Sequence, residues 1–312
     1  MARRESKRWY LIGRVGFEYG TIPFMRNLRA LGVPLFLAIT IAPCAHGATS
    51  VVWNSSTHLQ GVVVIPVGET VSVSPKTSIS LSAGTKIIVN GALEAPAGLT
   101  LSGSNWGGIV INGSANLLHF SESGAQISFQ VNAKGKLVIK NGNISGISGA
   151  SIVEGNFTAD HLNYDKGSGG GIDSYSGTGS VNISNSSLHG SGRNTGDFFG
   201  MYNVKSISLS NSVMNGSHCA FHILSLQNMS LKNDKIQDNS YGFMMYGSTP
   251  LGTKTILNTS ITNNSFGFDE GSSSTHNGTI TISHSFISGN GQDLGLYTGK
   301  VKVVAALDKK PI

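Results

Sequence analysis

The feature that most constrains the fold is a short motif that recurs along the second half of the chain. It consists of an aliphatic residue, any residue, Asn, two further residues and an apolar residue, and it is clearest in 255–268, TILNTSITNNSFGF. The steps between the first residues of successive copies are 18, 26, 26, 22, 25 and 26 residues. The copies begin at Ile139, Phe157, Ile183, Leu209, Leu231, Ile256 and Ile282. A period of roughly 20–30 residues indicates a solenoid, in which each repeat packs on its neighbours.

The apolar residues within each copy alternate with a period of two. That spacing is typical of strands and excludes a helical solenoid. A leucine-rich repeat would contain more Leu and would keep a constant length. The variable step favours a parallel β-helix, because its turns project outward and tolerate insertions. The sequence therefore predicts an all-β fold, a single-stranded parallel β-helix.

Stacking of equivalent residues explains why the bends are rich in Asn. Successive coils of a β-helix lie about 4.8 Å apart, so an Asn at a bend can hydrogen-bond to the Asn above and the Asn below. Asn also tolerates a left-handed backbone. The predicted ladder is Asn141, Asn185, Asn211, Asn233 and Asn258. The alternative is that these are ordinary exposed turn residues in an Asn-rich protein.

The apolar positions are predicted to form stacks inside the coils. Two stacks follow from the motif, and a third follows from a small residue and an apolar residue that come after each copy. The three stacks are Leu209, Leu231, Ile256 and Ile282; Met214, Ile236, Ile261 and Ile287; and Met201, Phe221, Phe243, Phe268 and Leu296.

The N-terminal residues are predicted to direct secretion. Residues 25–47 have a basic start, an apolar stretch and a small-residue end, which is the layout of a signal peptide. We expect an upstream extension of the reading frame at 1–24, a signal peptide at 25–47 and one β-helix domain at 48–312. The alternative for 1–24 is a long n-region of the same signal. The expected product is secreted, extracellular, periplasmic or at the cell surface, with no membrane span after cleavage.

Most of the net positive charge lies in residues 1–47. The formal net charge is +6, and residues 1–47 carry seven Lys or Arg against two Glu, which leaves +1 on the remainder. The basic stripe that nucleic acids require is therefore missing, and nucleic-acid binding is not expected. The mature chain keeps a single cysteine, Cys219, which is predicted to be a small core residue rather than a nucleophile.

Two groups of segments resemble a known family. The segments GVVVIPVGET, IIVNGALEA and WGGI are similar to the N-terminal coils of secreted bacterial right-handed parallel β-helix proteins. The segments NNSFGF and NSYGF resemble the repeats of the carbohydrate-binding and sugar-hydrolase subgroup of the pectin-lyase-like superfamily. The resemblance covers about residues 60–300. It implies a right-handed β-helix and a polysaccharide partner, but it does not specify the activity.

Catalytic signatures of that superfamily are missing from the sequence. Its pectate-lyase-like members use clustered carboxylates for calcium and a basic proton abstractor, and its polygalacturonase-like members use several aspartates and a Gly-His-Gly segment. This chain has neither an Asp-Asp pair nor a Gly-His-Gly segment. The expected function is polysaccharide binding or surface interaction without an evident catalytic constellation, and no cofactor or metal is expected. The alternative is a divergent polysaccharide lyase or glycoside hydrolase that acts on an acidic polysaccharide.

One column of residues is predicted to form a ligand face. The residue after each small-apolar pair faces solvent if the pairs align, and tyrosine, histidine and aspartate on a flat sheet suit a sugar. The alternative is an ordinary exposed sheet. Asp173 and Asp269, four coils apart, are expected to be roughly 19 Å from each other, too far for the paired carboxylates of glycoside hydrolysis. His222 beside Tyr202 could instead abstract a proton. The candidate residues are Asp173, Tyr202, His222, Met244, Asp269 and Tyr297.

Overall fold

Alternation of apolar and polar residues gives strands with one buried face. The chain folds into strands throughout its described part. The computed structural model describes residues 50–55, 57–167, 169–247, 252–271, 278–296 and 301–307. Every regular element in these ranges is a β-strand. The predicted extension at 1–24 and the predicted signal peptide at 25–47 lie outside the described residues. The described residues contain no helix with the length and hydropathy that a membrane span requires.

The strands belong to two sheets, numbered here in chain order. The larger sheet contains twenty strands: β1 (Ser50–Trp53), β2 (His58–Leu59), β4 (Thr70–Val73), β5 (Thr77–Leu81), β7 (Ala92–Ala95), β8 (Leu99–Trp106), β10 (Ser114–Leu118), β11 (Phe120–Ala125), β13 (Lys136–Ser145), β15 (Asn156–Asp165), β17 (Ser180–Ser184), β18 (Ser187–His189), β20 (Val204–Ser210), β21 (Val213–Asn215), β23 (Leu226–Lys232), β24 (Lys235–Gln237), β26 (Thr253–Leu257), β27 (Ser260–Thr262), β29 (Gly278–Ser288) and β31 (Val301–Leu307). The smaller sheet contains eleven strands: β3 (Val62–Ile65), β6 (Lys86–Val89), β9 (Gly108–Ile111), β12 (Phe129–Val131), β14 (Ser151–Val153), β16 (Ile172–Ser174), β19 (Phe199–Met201), β22 (Cys219–Ile223), β25 (Tyr241–Met245), β28 (Phe266–Asp269) and β30 (Gln292–Gly295).

The pairing of these strands is that of a parallel β-solenoid. In the smaller sheet each strand pairs in parallel with the strand one coil away, as β19 does with β22 and β22 with β25. Each coil contributes one strand to this sheet, so the chain makes about eleven turns. The predicted fold class, an all-β parallel β-helix, is confirmed.

Two of the predicted interior stacks are confirmed by the strand register. Leu209 pairs with Leu231, Leu231 with Ile256, and Ile256 with Ile282. The second stack, from Met214 to Ile287, is likewise continuous. All of these side chains are buried.

The third predicted stack is right in its centre and wrong at its start. Phe221, Phe243 and Phe268 pair in register, but Phe199 rather than Met201 precedes them. At the other end the register pairs Phe268 with Leu294, but Leu294 is exposed, and Leu296 packs against the core as predicted. Residues two apart on a strand face the same side, so Met201 has the right orientation and the wrong position along the strand.

The Asn residues at the bends have the backbone and the side-chain contacts of a ladder. Asn185, Asn211, Asn233 and Asn258 have φ values between 51° and 59°. Each of the last three donates its amide to the preceding Asn, over 2.8–3.1 Å. Asn185 donates to Asp160 at 2.7 Å, and there the ladder ends.

Asn141 has the same left-handed backbone but is placed beyond that end. Its φ is 53°, and the next coil carries His161, with φ of 54°, at the equivalent bend. Because Asp160 replaces an Asn as the acceptor for Asn185, the ladder does not continue through His161 to Asn141.

Candidate functional site

The outer face of the smaller sheet carries the candidate site. Its central column follows from the strand register: Asp173, Gly200, His222, Met244, Asp269 and Gly295. Of the residues predicted for this column, four lie in it. Tyr297 lies outside the described residues.

Tyr202 does not lie in the predicted column. Gly200 occupies that place, and Tyr202 is two residues further along, immediately after β19. Its ring lies parallel to that of Tyr175 in the neighbouring coil, with centroids 5.0 Å apart and 9° between the planes. The Tyr202 ring also packs edge-on against the His222 ring, with centroids 5.7 Å apart and 65° between the planes. Tyr202 is therefore part of the same surface, through a different contact.

Gly200 allows the Tyr202 ring and the Asp173 carboxylate to lie across the strand. A Cβ atom at Gly200 would stand 2.2 Å from Asp173 Oδ1 and 2.7 Å from the Tyr202 ring. These distances are far below van der Waals contact, so any side chain at this position would displace both groups.

Tyr175 presents an exposed ring on a fixed loop. Its side chain is 52% exposed. Glu154 holds the loop, since its carboxylate accepts the backbone N–H groups of Tyr175 and Ser176, each at 2.8 Å. The Tyr175 hydroxyl donates to Asp173 at 2.8 Å. Burial raises the pKa of Asp173, the hydrogen bond from Tyr175 lowers it, and the charge of Asp197 raises it again, with a net rise.

Asp197, in the segment before β19, is the polar centre of the surface. Its Oδ2 accepts from His222 Nδ1 at 2.7 Å, and its Oδ1 lies 3.2 Å from His218 Nδ1. Burial by itself raises the pKa of Asp197, but hydrogen bonds from the two histidines and Cys219 outweigh it and lower the pKa to about 2. Asp197 is therefore an anion at neutral pH, between two imidazoles.

Cys219 lies close to the Asp197 carboxylate, on its buried side. It is buried, and its Sγ is 3.3 Å from His218 Nδ1 and 3.4 Å from Met244 Sδ. Burial raises the pKa of the Cys219 thiol, which therefore stays protonated and is a poor nucleophile. One ligand atom from each of Asp197, His218 and Cys219 lies within 4.8 Å of the others, an arrangement that can hold a metal ion.

Asp269, predicted to face solvent, is buried. The Tyr246 hydroxyl donates to its Oδ2 at 2.6 Å, and the Gly271 amide donates to its Oδ1 at 3.2 Å. Tyr246 follows β25, and its ring lies against Gly271, next to Asp269. Asp269 is therefore withdrawn from the surface on which Asp173 and His222 lie.

The site is an open surface. Two depressions on the described residues lie elsewhere, one lined by residues such as Lys76, Gly98 and His119, the other beside Asn185 and Asn211 of the ladder. Neither brings together carboxylates, imidazoles and tyrosines as the smaller sheet does. We therefore place the candidate site on that sheet. It is identified by its functional groups and not by a cavity.

Sequence reasoning missed three members of the site. Asp197 and Tyr175 lie in loops outside the repeat, so no periodic pattern points to them. Gly200 gave a usable signal, because a glycine at an outward strand position often marks a close approach of other groups.

Comparisons with known proteins give similarity in fold only. No protein-family model matches the chain, and no curated protein matches it. Among solved structures, the Azotobacter vinelandii mannuronan C-5 epimerase AlgE4 A-module aligns at 12% identity and a TM-score of 0.48, over 83% of this chain and 91% of that chain. The AlgE6 A-module of the same organism aligns at 12% identity and a TM-score of 0.43, over 85% and 92%. Likenesses at this level carry no inference about function.

Proposed function

We propose that this β-solenoid binds an extended polysaccharide across the outer face of its smaller sheet. The observation that carries the proposal is the continuous surface of Tyr175, Tyr202 and His222 next to the carboxylates of Asp173 and Asp197. Aromatic rings offer an apolar face for sugar C–H groups, and they have a polar tip as well. Carboxylate oxygens accept hydrogen bonds from sugar hydroxyls.

The shape and charge of the surface indicate which glycan fits. An open face that runs along stacked coils suits a chain polymer better than a small molecule, which binds in a concave pocket. Asp197 is ionised at neutral pH, and Asp173 adds a second carboxylate. Like charges across an interface are unfavourable, so the proposed ligand is a neutral polysaccharide rather than a uronic-acid polymer.

The test is binding to soluble neutral and acidic polysaccharides by affinity electrophoresis. Wild-type protein should be retarded by a neutral polymer. Tyr175→Ala and Tyr202→Ala should each weaken that retardation at least about tenfold, which corresponds to about 1.4 kcal/mol. Gly200→Ala should weaken it as well, because the added methyl group displaces the Tyr202 ring.

The matched control is His161→Ala, which removes an exposed ring at a bend beyond the end of the Asn ladder. It should bind as wild type does. Unchanged binding in both tyrosine variants, or tighter binding of uronic-acid polymers than of neutral ones, would contradict the proposal.

Lyase activity is a second candidate, favoured by the geometry of His222. Its Nδ1 is fixed by Asp197 at 2.7 Å and its ring is 22% exposed, which is how a general base is positioned. The test is a turnover screen on uronic-acid polymers with and without calcium. Unsaturated product that disappears in His222→Ala would support this candidate, and no product on any polymer would reject it.

Export is part of the proposed function, since the protein would bind an extended polysaccharide outside the cell. The basis is the predicted signal peptide at 25–47. N-terminal sequencing of protein recovered from the periplasm or the medium should find a mature chain that begins near residue 48. Full-length protein confined to the cytoplasm would contradict it.

A further inference from the structure

Three potential metal ligands converge beside the proposed glycan surface. Asp197 comes from the segment before β19. One coil away, His218 directly precedes β22 and Cys219 is the first residue of that strand. His218 Nδ1 is 3.2 Å from Asp197 Oδ1 and 3.3 Å from Cys219 Sγ. The three ligand atoms lie within 4.8 Å of one another.

These separations match the edges of a zinc coordination tetrahedron. With Zn–S near 2.3 Å and Zn–N or Zn–O near 2.0–2.1 Å, ligand atoms around one ion lie about 3.3–3.6 Å apart. The two measured separations that involve His218 Nδ1 are within about 0.3 Å of that range. The third separation, between Asp197 and Cys219 Sγ, is no more than 4.8 Å, so a movement of about 1.2 Å or less brings it into the same range.

The same distances argue against a cysteine nucleophile activated by a His–Asp pair. Such a triad uses the two different ring nitrogens of the histidine, one for the nucleophile and one for the carboxylate. Here Cys219 Sγ and Asp197 Oδ1 both approach Nδ1 of His218. Three atoms that face one point, rather than forming a relay, are the arrangement of ligands around a cation.

We propose that Asp197, His218 and Cys219 form a zinc-binding site. A carboxylate oxygen, an imidazole nitrogen and a cysteine sulfur are all zinc ligands, whereas calcium and magnesium select oxygen donors. Three protein ligands leave the fourth coordination position open. Zinc binding would release the thiol proton of Cys219, because the thiolate is the ligand.

The groups around the three ligands are suited to support them. Ligating carboxylates are usually held by a hydrogen bond in turn, and Asp197 Oδ2 accepts one from His222 at 2.7 Å. Met244, on the next coil, packs its Sδ against Cys219 Sγ at a distance of 3.4 Å. The ion would join the segment before β19 to β22 where the described chain has no disulfide. This inference does not rest on the polysaccharide proposal, and its test uses no glycan.

The test is titration of the full chain with Zn²⁺ by calorimetry and with Co²⁺ by absorption spectroscopy. The expected result is one ion per chain and a thiolate-to-cobalt charge-transfer band. Both should persist in Cys44→Ser, which removes the other cysteine of the chain. Cys219→Ser should abolish the band and weaken zinc binding by at least about 100-fold.

Two further variants keep the result interpretable. His218→Gln alters a side chain that is 41% exposed, so the variant should fold, and it should also weaken zinc binding at least about 100-fold. His161→Gln should bind zinc as wild type does, because the His161–Asp160 pair has no sulfur ligand. Absence of zinc binding, or equal zinc binding in wild type, Cys219→Ser and His218→Gln, would overturn the proposal.

Discussion

Single polar side chains at the bends hold successive coils in register. Asn233 accepts the amide of Asn258 and donates its own to Asn211, both at 2.8 Å, with a φ of 59°. Asn is suited to both tasks, because its side chain donates and accepts and its backbone tolerates the left-handed region. Asn233 therefore joins three coils.

Asn233→Ala and Asn233→Gly separate these two contributions. Alanine loses the ladder bonds and is strained at positive φ, so we expect it to lower the free energy of unfolding by about 2–3 kcal/mol. Glycine loses the same bonds without the strain and should cost less. Urea denaturation measures both. Asn182→Ala, on the exposed side of β17, is the control and should have little effect; equal losses in all three variants would contradict the ladder account.

A buried carboxyl group makes stability depend on pH. Glu122 is 1% exposed and accepts a hydrogen bond from Ser128; burial raises its pKa from 4.5 to about 8. Between these values the folded chain binds a proton that the unfolded chain has lost. The contribution of Glu122 is therefore complete below about pH 4.5 and is lost as the pH rises toward 8.

We expect the free energy of unfolding to fall from pH 5 to pH 8, by at most about 1.4 kcal/mol per pH unit from this group. Asp234, whose pKa burial raises to about 7, acts in the same direction. Glu122→Gln should flatten the profile, measured as the urea midpoint at pH 5, 6.5 and 8. A profile as steep in Glu122→Gln as in wild type would show that the slope has another origin.

At the scale of the elements, aromatic rings on successive strands of the smaller sheet stack on one another in the core. Phe221 and Phe243 lie 5.0 Å apart with 5° between their planes, and Phe243 and Phe268 lie 4.4 Å apart with 4°. All three are fully buried. Phe243 therefore packs against a ring on each side, on β22 and on β28.

Phe243→Ala should lower the free energy of unfolding by about 3–5 kcal/mol, because it leaves a cavity between two rings. Phe243→Leu should cost less. The control is Phe266→Ala, whose ring stacks on Tyr241 outside the core at 5.0 Å and should cost clearly less than Phe243→Ala. Chemical denaturation of the three variants decides the point, and equal losses for Phe243→Ala and Phe266→Ala would contradict the interior stack.

The strands also show how far the sequence alone can predict this molecule. Period-two alternation determines which side of a strand a residue faces, so the interior stacks around Leu231 and Ile236 were predictable. Alternation does not determine the position along the strand. Phe199 and Met201 both face inward, and the segment before β19 departs from the repeat. The predicted register was therefore wrong by two residues at β19, and Tyr202 was assigned to the place of Gly200.

At the scale of the whole molecule, coil stacking assembles a surface from residues that are far apart in sequence. Asp173 and His222 are separated by 49 positions, and only two strand spacings separate their places in the column. The polar centre of the site was not predictable, because Asp197 belongs to an insertion that repeats nowhere else. The fold could thus be derived from the repeat, whereas the site depended on one loop.

The measurement that tests the proposed function most directly is amide hydrogen exchange with and without a saturating neutral polysaccharide. Slower exchange should be confined to the loops after β16 and β19, which carry Tyr175 and Tyr202, and to β22, which carries His222. Protection at the Asn ladder instead, or no protection anywhere under conditions where the polymer is bound, would contradict a glycan-binding face on the smaller sheet.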